Sequence, residues 1–278
     1  MKNMITLKIA MVLLMFAAIS QAREPNSVPT DKIIISGTGD SQELLRVMAK
    51  AFMAEHNNCG VEIPDSIGST GGIKALLRGE ANFARVARLL KDDEKKQGLT
   101  YHLFAKSPLV FVVNPSVADI NNITAEQIIG IYSGKITNWG QLGGAASKIH
   151  PVTREITDSS VQILEKTLPG FADVNSQAAA KVIYTTPEMV SVIAEHKGTI
   201  GFVPLSMTKG IGLKILKIDG VYPSTESVIS GEYKYIASFG IVYKGKLKGF
   251  EKKFVEFIYS EDGQKIITDM GSIPAKQE

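Results

Sequence analysis

Residues 33–41 read Ile33-Ile34-Ile35-Ser36-Gly37-Thr38-Gly39-Asp40-Ser41. The three isoleucines make a short buried strand, because β-branched side chains favour extended backbone. The small polar residues after them make a tight turn. From there Leu44, Leu45, Val47, Met48, Ala51 and Phe52 recur at helical spacing. A strand, a Gly-rich turn and a helix aim free backbone N–H groups and the positive helix end at one point, an arrangement that suits an anion. An ordinary strand-to-helix turn capped by Asp40 or Ser41 has the same composition. What separates the two readings is repetition of the device.

The chain repeats it twice. Val61 and Ile63 mark a strand that leads into Ser66-Ile67-Gly68-Ser69-Thr70-Gly71-Gly72 and a helix over 73–78. Residues 149–153 form another strand, followed by Arg154-Glu155-Ile156-Thr157-Asp158-Ser159-Ser160 and a helix marked by Val161, Ile163, Leu164 and Leu168. Three such turns each offer backbone donors and hydroxyls to a small oxyanion. Arg88 and Arg154 stand near strand ends, where a guanidinium fork can pair with two anion oxygens. Arg85 replaces Arg88 in that role if the register of the strand over 82–88 differs.

The rest alternates in the same way. Strands are expected over 104–114, 198–203, 212–218 and 233–243. Thr124 starts a helix as its cap, with Gln127 completing a capping box. Thr186 caps another with Pro187 at its first position, and helices over 250–259 and 263–270 end the chain. Trp139, the only tryptophan, reads as a packing plug for its loop. This alternation predicts an α/β fold with mainly parallel sheets, in two lobes that both carry anion-type turns.

Residues 1–22 read as a secretory signal peptide. Lys2 and Lys8 precede an apolar run over 9–19, and Ser20-Gln21-Ala22 is a small-x-small site with cleavage expected after Ala22. Residues 23–31 read as a loose leader. Cleavage removes two lysines and no acid, so the formal charge of +3 falls to about +1. That balance excludes the clustered basic face of a nucleic-acid binder. The single cysteine, Cys59, excludes an internal disulfide. The remaining ~256 residues suit one large domain or two smaller ones.

Enzyme signatures are missing. Residues 68–74 lack P-loop spacing, Gly37 and Gly39 lack the third glycine of a dinucleotide site, and no G-x-S-x-G elbow occurs. His56, His102, His150 and His196 are scattered, so no metal site is expected. No cofactor and no catalytic residue is expected. A secreted phosphate-ester hydrolase using Ser41, Ser69 or Ser160 is the alternative. It would want a metal or a positioned base.

The stretch Thr124 to Gly144, TAEQIIGIYSGKITNWGQLGG, closely resembles a segment of the periplasmic phosphate-binding proteins of ABC transporters, in which a T-x-E-Q helix leads into G-K-I-T-N-W. The likeness runs from Ile33 to Pro274 and includes the turn at Ser36 to Ser41, Gly68 to Gly71, and Val-Thr-Arg-Glu at 152–155. The resemblance implies a two-lobed, non-catalytic periplasmic protein. It would hold inorganic phosphate or a similar oxyanion in the interlobe cleft and deliver it to a membrane permease. It implies two crossings between lobes, near 112–115 and 237–240, dividing the chain into lobe 1 (32–112 and 239–278) and lobe 2 (113–238). Carried over by position, the ligand would meet Thr38, Gly39 and Ser41, then Ser69, Thr70 and Gly71, then Arg88, Arg154, Asp158, Ser159 and Ser160. The chain is expected to act as a monomer, and a periplasmic sensor or scavenger is the alternative within the same fold. The sequence departs from the family at Val86-Ala87-Arg88-Leu89, where many relatives read S-S-R-P, and at Thr157-Asp158-Ser159-Ser160, where G-S-G-T is usual. Asp40 and Asp158 would set carboxylates beside an anion. Each either caps a helix or accepts a proton that phosphate carries and sulfate lacks.

Overall fold

The computed structural model describes residues 31–175 and 179–276. The expected signal peptide and all of the leader except Asp31 lie outside the described residues. The chain begins with β1 (Asp31–Gly37), α1 (Gln42–Glu55), β2 (Cys59–Glu62), α2 (Gly68–Leu77), β3 (Phe83–Val86) and α3 (Asp92–Lys95). The long β4 (Leu99–Val113) follows, then β5 (Asn122–Ile123), α4 (Ala125–Tyr132), β6 (His150–Thr153), α5 (Ser159–Thr167) and α6 (Phe171–Asn175). Next come β7 (Lys181–Val182), α7 (Thr186–Glu195), β8 (Thr199–Pro204), β9 (Lys214–Ile215), β10 (Lys217–Ile218) and α8 (Thr225–Ile229). The chain returns through β11 (Ile236–Lys244), α9 (Gly249–Tyr259), α10 (Glu261–Asp269) and β12 (Ile273–Pro274).

Strands run in the hydrogen-bonded order β2-β1-β3-β11-β4-β8-β6-β7. Strand β4 joins the two halves. Its first part, Leu99 to Pro108, pairs antiparallel with β11, and its second, Leu109 to Val113, pairs antiparallel with β8. The cores divide at the same place. Ile33, Leu44, Phe52, Phe104, Phe239 and Phe254 pack together on one side. Phe111, Tyr132, Trp139, Phe171 and Phe202 pack on the other, and Ile163 of α5 touches both. Along the chain the change of core falls between Ala105 and Leu109 within β4 and between Tyr235 and Ala237 at the start of β11. Among the described residues, every strand pair that involves neither β4 nor β11 is parallel. Each βα turn therefore opens on the same side of its sheet, which brings the turns of both lobes to one cleft.

Local chemistry explains the elements. Thr124 accepts from the Gln127 N–H while the Gln127 side chain accepts from the Thr124 N–H, so α4 starts at the expected capping box. Trp139 is buried and donates its indole N–H to the Gly198 carbonyl at 3.1 Å, pinning its loop to the head of β8. The strand expected over 212–218 is instead two pairs of residues broken at Leu216. Lys214–Ile215 serves β4 and Lys217–Ile218 serves β5, while the Leu216 N–H reaches the Phe111 carbonyl.

The first turn rests on Arg85. This side chain is fully buried and donates to the Thr38 carbonyl at 2.7 Å, the Pro64 carbonyl at 2.7 Å, Gln42 Oε1 at 3.2 Å and the Ile35 carbonyl. Burial pulls its pKa down to about 10, so it remains charged at neutral pH. Gly37, at φ 147, lets the turn lie against the Arg85 backbone where a Cβ would collide with it. Arg85 is thus a strut beneath the turn, and the register leaves Arg88 two residues past the end of β3. Arg85→Lys removes the planar fork and strands at least two of these acceptors, so unfolding free energy should fall by about 2–4 kcal/mol. Urea denaturation followed by Trp139 fluorescence reads this; a loss under about 0.5 kcal/mol, within the range of ordinary surface changes, would show that the turn does not lean on Arg85.

Candidate functional site

Four helix N-termini meet across the lobes. Helices α1 and α2 come from lobe 1, and α5 and α7 from lobe 2. The Ser69 hydroxyl, in the first turn of α2, lies 3.2 Å from the Ser159 hydroxyl in the first turn of α5. Asp40, just ahead of α1, accepts from the Ser160 hydroxyl at 3.2 Å and from the Thr186 hydroxyl at 2.6 Å. Helix α2 begins earlier than the sequence suggested, so Ser69, Thr70 and Gly71 lie inside its first turn. Its cap is Ile67, which offers no side-chain acceptor. Apart from the Gly68 N–H, which reaches Ser66 Oγ at 3.5 Å, this leaves the first-turn N–H groups of α2 without a side-chain cap.

The capping alternative for Asp40 does not hold in this structure. Ser41 occupies the N-cap position of α1 and makes no side-chain capping bond, while both Asp40 oxygens face lobe 2. The Asp40 N–H donates to Thr38 Oγ1 at 3.2 Å, which folds the turn back on itself. Asp158 does two jobs at once. One oxygen caps α5 by accepting from the Ser160 N–H at 2.9 Å, and the other accepts from Arg154 Nη2 at 2.8 Å. Arg154 is 5% exposed, yet its Nε and Nη1 are buried without a partner, as is the Ser41 hydroxyl.

Burial drives the Asp40 pKa up from the ordinary 3.8 to about 6. The nearby negative charge of Asp158 adds to that rise, while the Thr186 hydroxyl, the positive Arg154 and the Ser160 hydroxyl oppose it. The site therefore holds one carboxylate poised near neutrality beside a guanidinium with donors to spare. A cavity of about 360 Å³ adjoins it, walled by Ile67, Ser69 and Thr70 from lobe 1 and by Arg154, Asp158 and Tyr184 from lobe 2.

Of the residues singled out from the sequence, Thr38, Ser69, Arg154, Asp158, Ser159 and Ser160 join this network directly. Gly39 and Ser41 flank Asp40, and Thr70 and Gly71 sit beside Ser69 in α2. Arg88 is placed differently. Its fork binds Glu94 through two 2.7 Å bonds, and Nη2 also reaches Thr70 Oγ1 at 3.2 Å. Burial tends to raise the Glu94 pKa, but Arg88 and Lys91 together, through hydrogen bonds and positive charge, outweigh it and hold the carboxylate below its ordinary range. Arg88 thus braces the loop after β3 and the flank of α2, outside the group around Asp40.

Thr186 is not the cap of α7 that the sequence predicts; the cap is Thr185, which accepts from the Glu188 N–H at 3.2 Å. The signal was present, because Thr185 stands three residues before Glu188, as a capping box requires. With capping done by its neighbour, Thr186 is free to turn its hydroxyl toward Asp40.

The PBP superfamily domain matches residues 22–262. Phosphate-binding protein PstS of Bacillus subtilis (strain 168) is 30% identical over 246 residues, covering 87% of this chain and 80% of that one. Phosphate-binding protein PstS of Borreliella burgdorferi is 28% identical over 256 residues, covering 88% of this chain and 91% of that one. Among solved structures, a phosphate ABC transporter substrate-binding protein with bound phosphate from Clostridium perfringens superposes with a TM-score of 0.78 at 28% identity. It covers 88% of this chain and 100% of that one. With two lobes, a cleft ringed by helix N-termini and these relatives along most of its length, the chain belongs to the PBP superfamily and, within it, to the family of the phosphate-binding proteins PstS.

Proposed function

We propose that the protein captures inorganic phosphate between its lobes and delivers it to the membrane permease of an ABC transporter, acting outside the cytoplasmic membrane as a monomer. The observation that carries this reading is Arg154. A buried guanidinium with two unpaired N–H-bearing nitrogens is costly unless an anion completes it. It stands where four helix N-termini converge, so backbone donors and helix dipoles favour the same charge. The relatives are named as phosphate-binding proteins, which supports a binding role over catalysis. Among the described residues no helix is long and apolar enough to cross a membrane.

In this reading Arg154, Ser159, Ser160 and the N-terminus of α5 grip the anion from lobe 2. Thr38, Gly39, Ser41, Ser69, Thr70 and Gly71 grip it from lobe 1. Asp158 holds Arg154 in place, and Arg88 contributes through Thr70. Asp40 supplies selectivity. An ionised carboxylate accepts the proton that phosphate carries at neutral pH, whereas sulfate has none to give and meets repulsion.

Two outcomes test this. Arg154→Ala should weaken phosphate binding, read by isothermal titration calorimetry, by about 2–4 kcal/mol, the range for losing a buried charge-assisted partner; an unchanged affinity would remove Arg154 from the site. Asp40→Asn should cut the preference for phosphate over sulfate by at least about tenfold, since an amide can donate to a sulfate oxygen. It should also change the pH profile of the ligand-free protein. Because the folded state raises the Asp40 pKa, the stability linked to this group is fully present below about pH 4. It is lost as pH rises to about 6, by up to about 3 kcal/mol. The Asn variant should lack that slope in thermal unfolding scans across the same window.

A further inference from the structure

We propose that Thr186 is a specificity-setting residue of the anion site: by donating its hydroxyl to Asp40 across the closed cleft, it keeps that carboxylate ionised and so ready to take a proton from the ligand. The inference rests on the phosphate-binding reading above and extends it to a residue outside the three βα turns.

The geometry is specific. Thr186 is 2% exposed, and its Oγ1 lies 2.6 Å from Asp40 Oδ1, the shorter of the two hydroxyl contacts to that carboxylate. A hydroxyl that donates to an oxygen stabilises the ionised form of the acid. The neighbouring groups divide between the two forms. Burial and the charge of Asp158 favour the protonated acid, while Arg154, Ser160 and Thr186 favour the ionised one. From lobe 1 the charged group beneath the turn is Arg85, whose fork is committed to the Thr38, Ile35 and Pro64 carbonyls and to Gln42.

The backbone around Thr186 is arranged to permit the contact. Thr185 takes over capping of α7, which leaves Thr186 at the first helical position with its hydroxyl uncommitted along its own helix. The first turn of α7 then packs directly on Gly39. A Cβ there would lie 2.7 Å from Pro187 Cδ and 3.2 Å from Thr186 Cβ, so only glycine lets the two lobes approach this closely. Gly39 and Pro187 thus set the separation at which Thr186 meets Asp40. Because the bond crosses between lobes, Thr186 acts on Asp40 only in the closed cleft, where burial disfavours the ionised form and the hydroxyl offsets part of that cost. In an opened cleft Asp40 loses Thr186, Ser160, Asp158 and Arg154 together.

The test uses the whole protein and sulfate as the probe. For wild type, sulfate should bind weakly above pH 6 and more tightly below it, as Asp40 takes up a proton. Thr186→Val keeps the shape and removes the donor, so the midpoint of sulfate binding against pH should move upward by about one unit. Thr186→Ser keeps the donor and should return the midpoint to the wild-type position. A Val profile that superimposes on wild type, with phosphate still bound, would overturn the role of Thr186 alone. If the Val variant does not fold, Thr186→Ala gives the same readout, and the ¹³C shift of the Asp40 carboxyl in Ala and Ser variants measures the ionisation directly. An unshifted Asp40 titration in the Ala variant overturns the proposal. Wild-type protein that fails to bind phosphate would instead overturn the reading of the cleft on which the proposal rests.

Discussion

A carboxylate from one lobe buried among hydroxyls of the other is the constraint around which this structure is arranged. Desolvating a carboxylate costs several kcal/mol, and here Asp158 adds a second negative charge to the cost. Two hydroxyl donors, the nearby Arg154 and the dipoles of converging helices oppose it. These donors offset only part of the cost, so the Asp40 pKa stands raised at about 6, and the loss of one hydroxyl donor would raise it further.

Holding Asp40 at that point is a problem of backbone geometry, and Arg85 solves it. A turn of small residues has little side-chain packing of its own, so its carbonyls need donors from elsewhere. Arg85 reaches four acceptors from one fully buried position. Lysine, with a single rotatable ammonium, could not span them. The positive charge comes with the fork. It sits under the turn, on the far side from the cleft, and takes part in the turn's hydrogen bonds without joining the network that faces lobe 2.

Much of this was legible in the sequence. The βα alternation, the three Ser- and Gly-rich turns, the Thr124 capping box and the buried Trp139 follow from spacing and local propensity, which act over a few residues. The roles of the two arginines after Phe83 were not legible, because strand register decides which side chain points inward and a shift of one residue reverses the answer. Asp40 and Asp158 were readable only as alternatives. The structure gives Asp158 both a cap and an ion pair, and gives Asp40 partners 120 and 146 residues away. Thr186 was missed for a similar reason. Its partner lies in the other lobe, and the nearby Thr185 satisfies the local rule that would have explained it.

The same division of contacts determines how a ligand can close the molecule. A ligand shifts an open–closed equilibrium only by the difference in its affinity for the two forms. Turning a population from 1:99 to 99:1 requires about 5.5 kcal/mol of that difference. Arg154 offers two unpaired nitrogens, and hydrogen bonds to charged groups contribute about 1.5–3 kcal/mol each. Arg154 stands in lobe 2, so these bonds count toward closure only as far as the anion they hold also touches lobe 1. Contacts made by one lobe alone would add affinity to both forms and move nothing. In the proposed reading, the first turn and the start of α2 are therefore the part of the site that would convert binding into closure, while Arg154 would grip the anion from lobe 2.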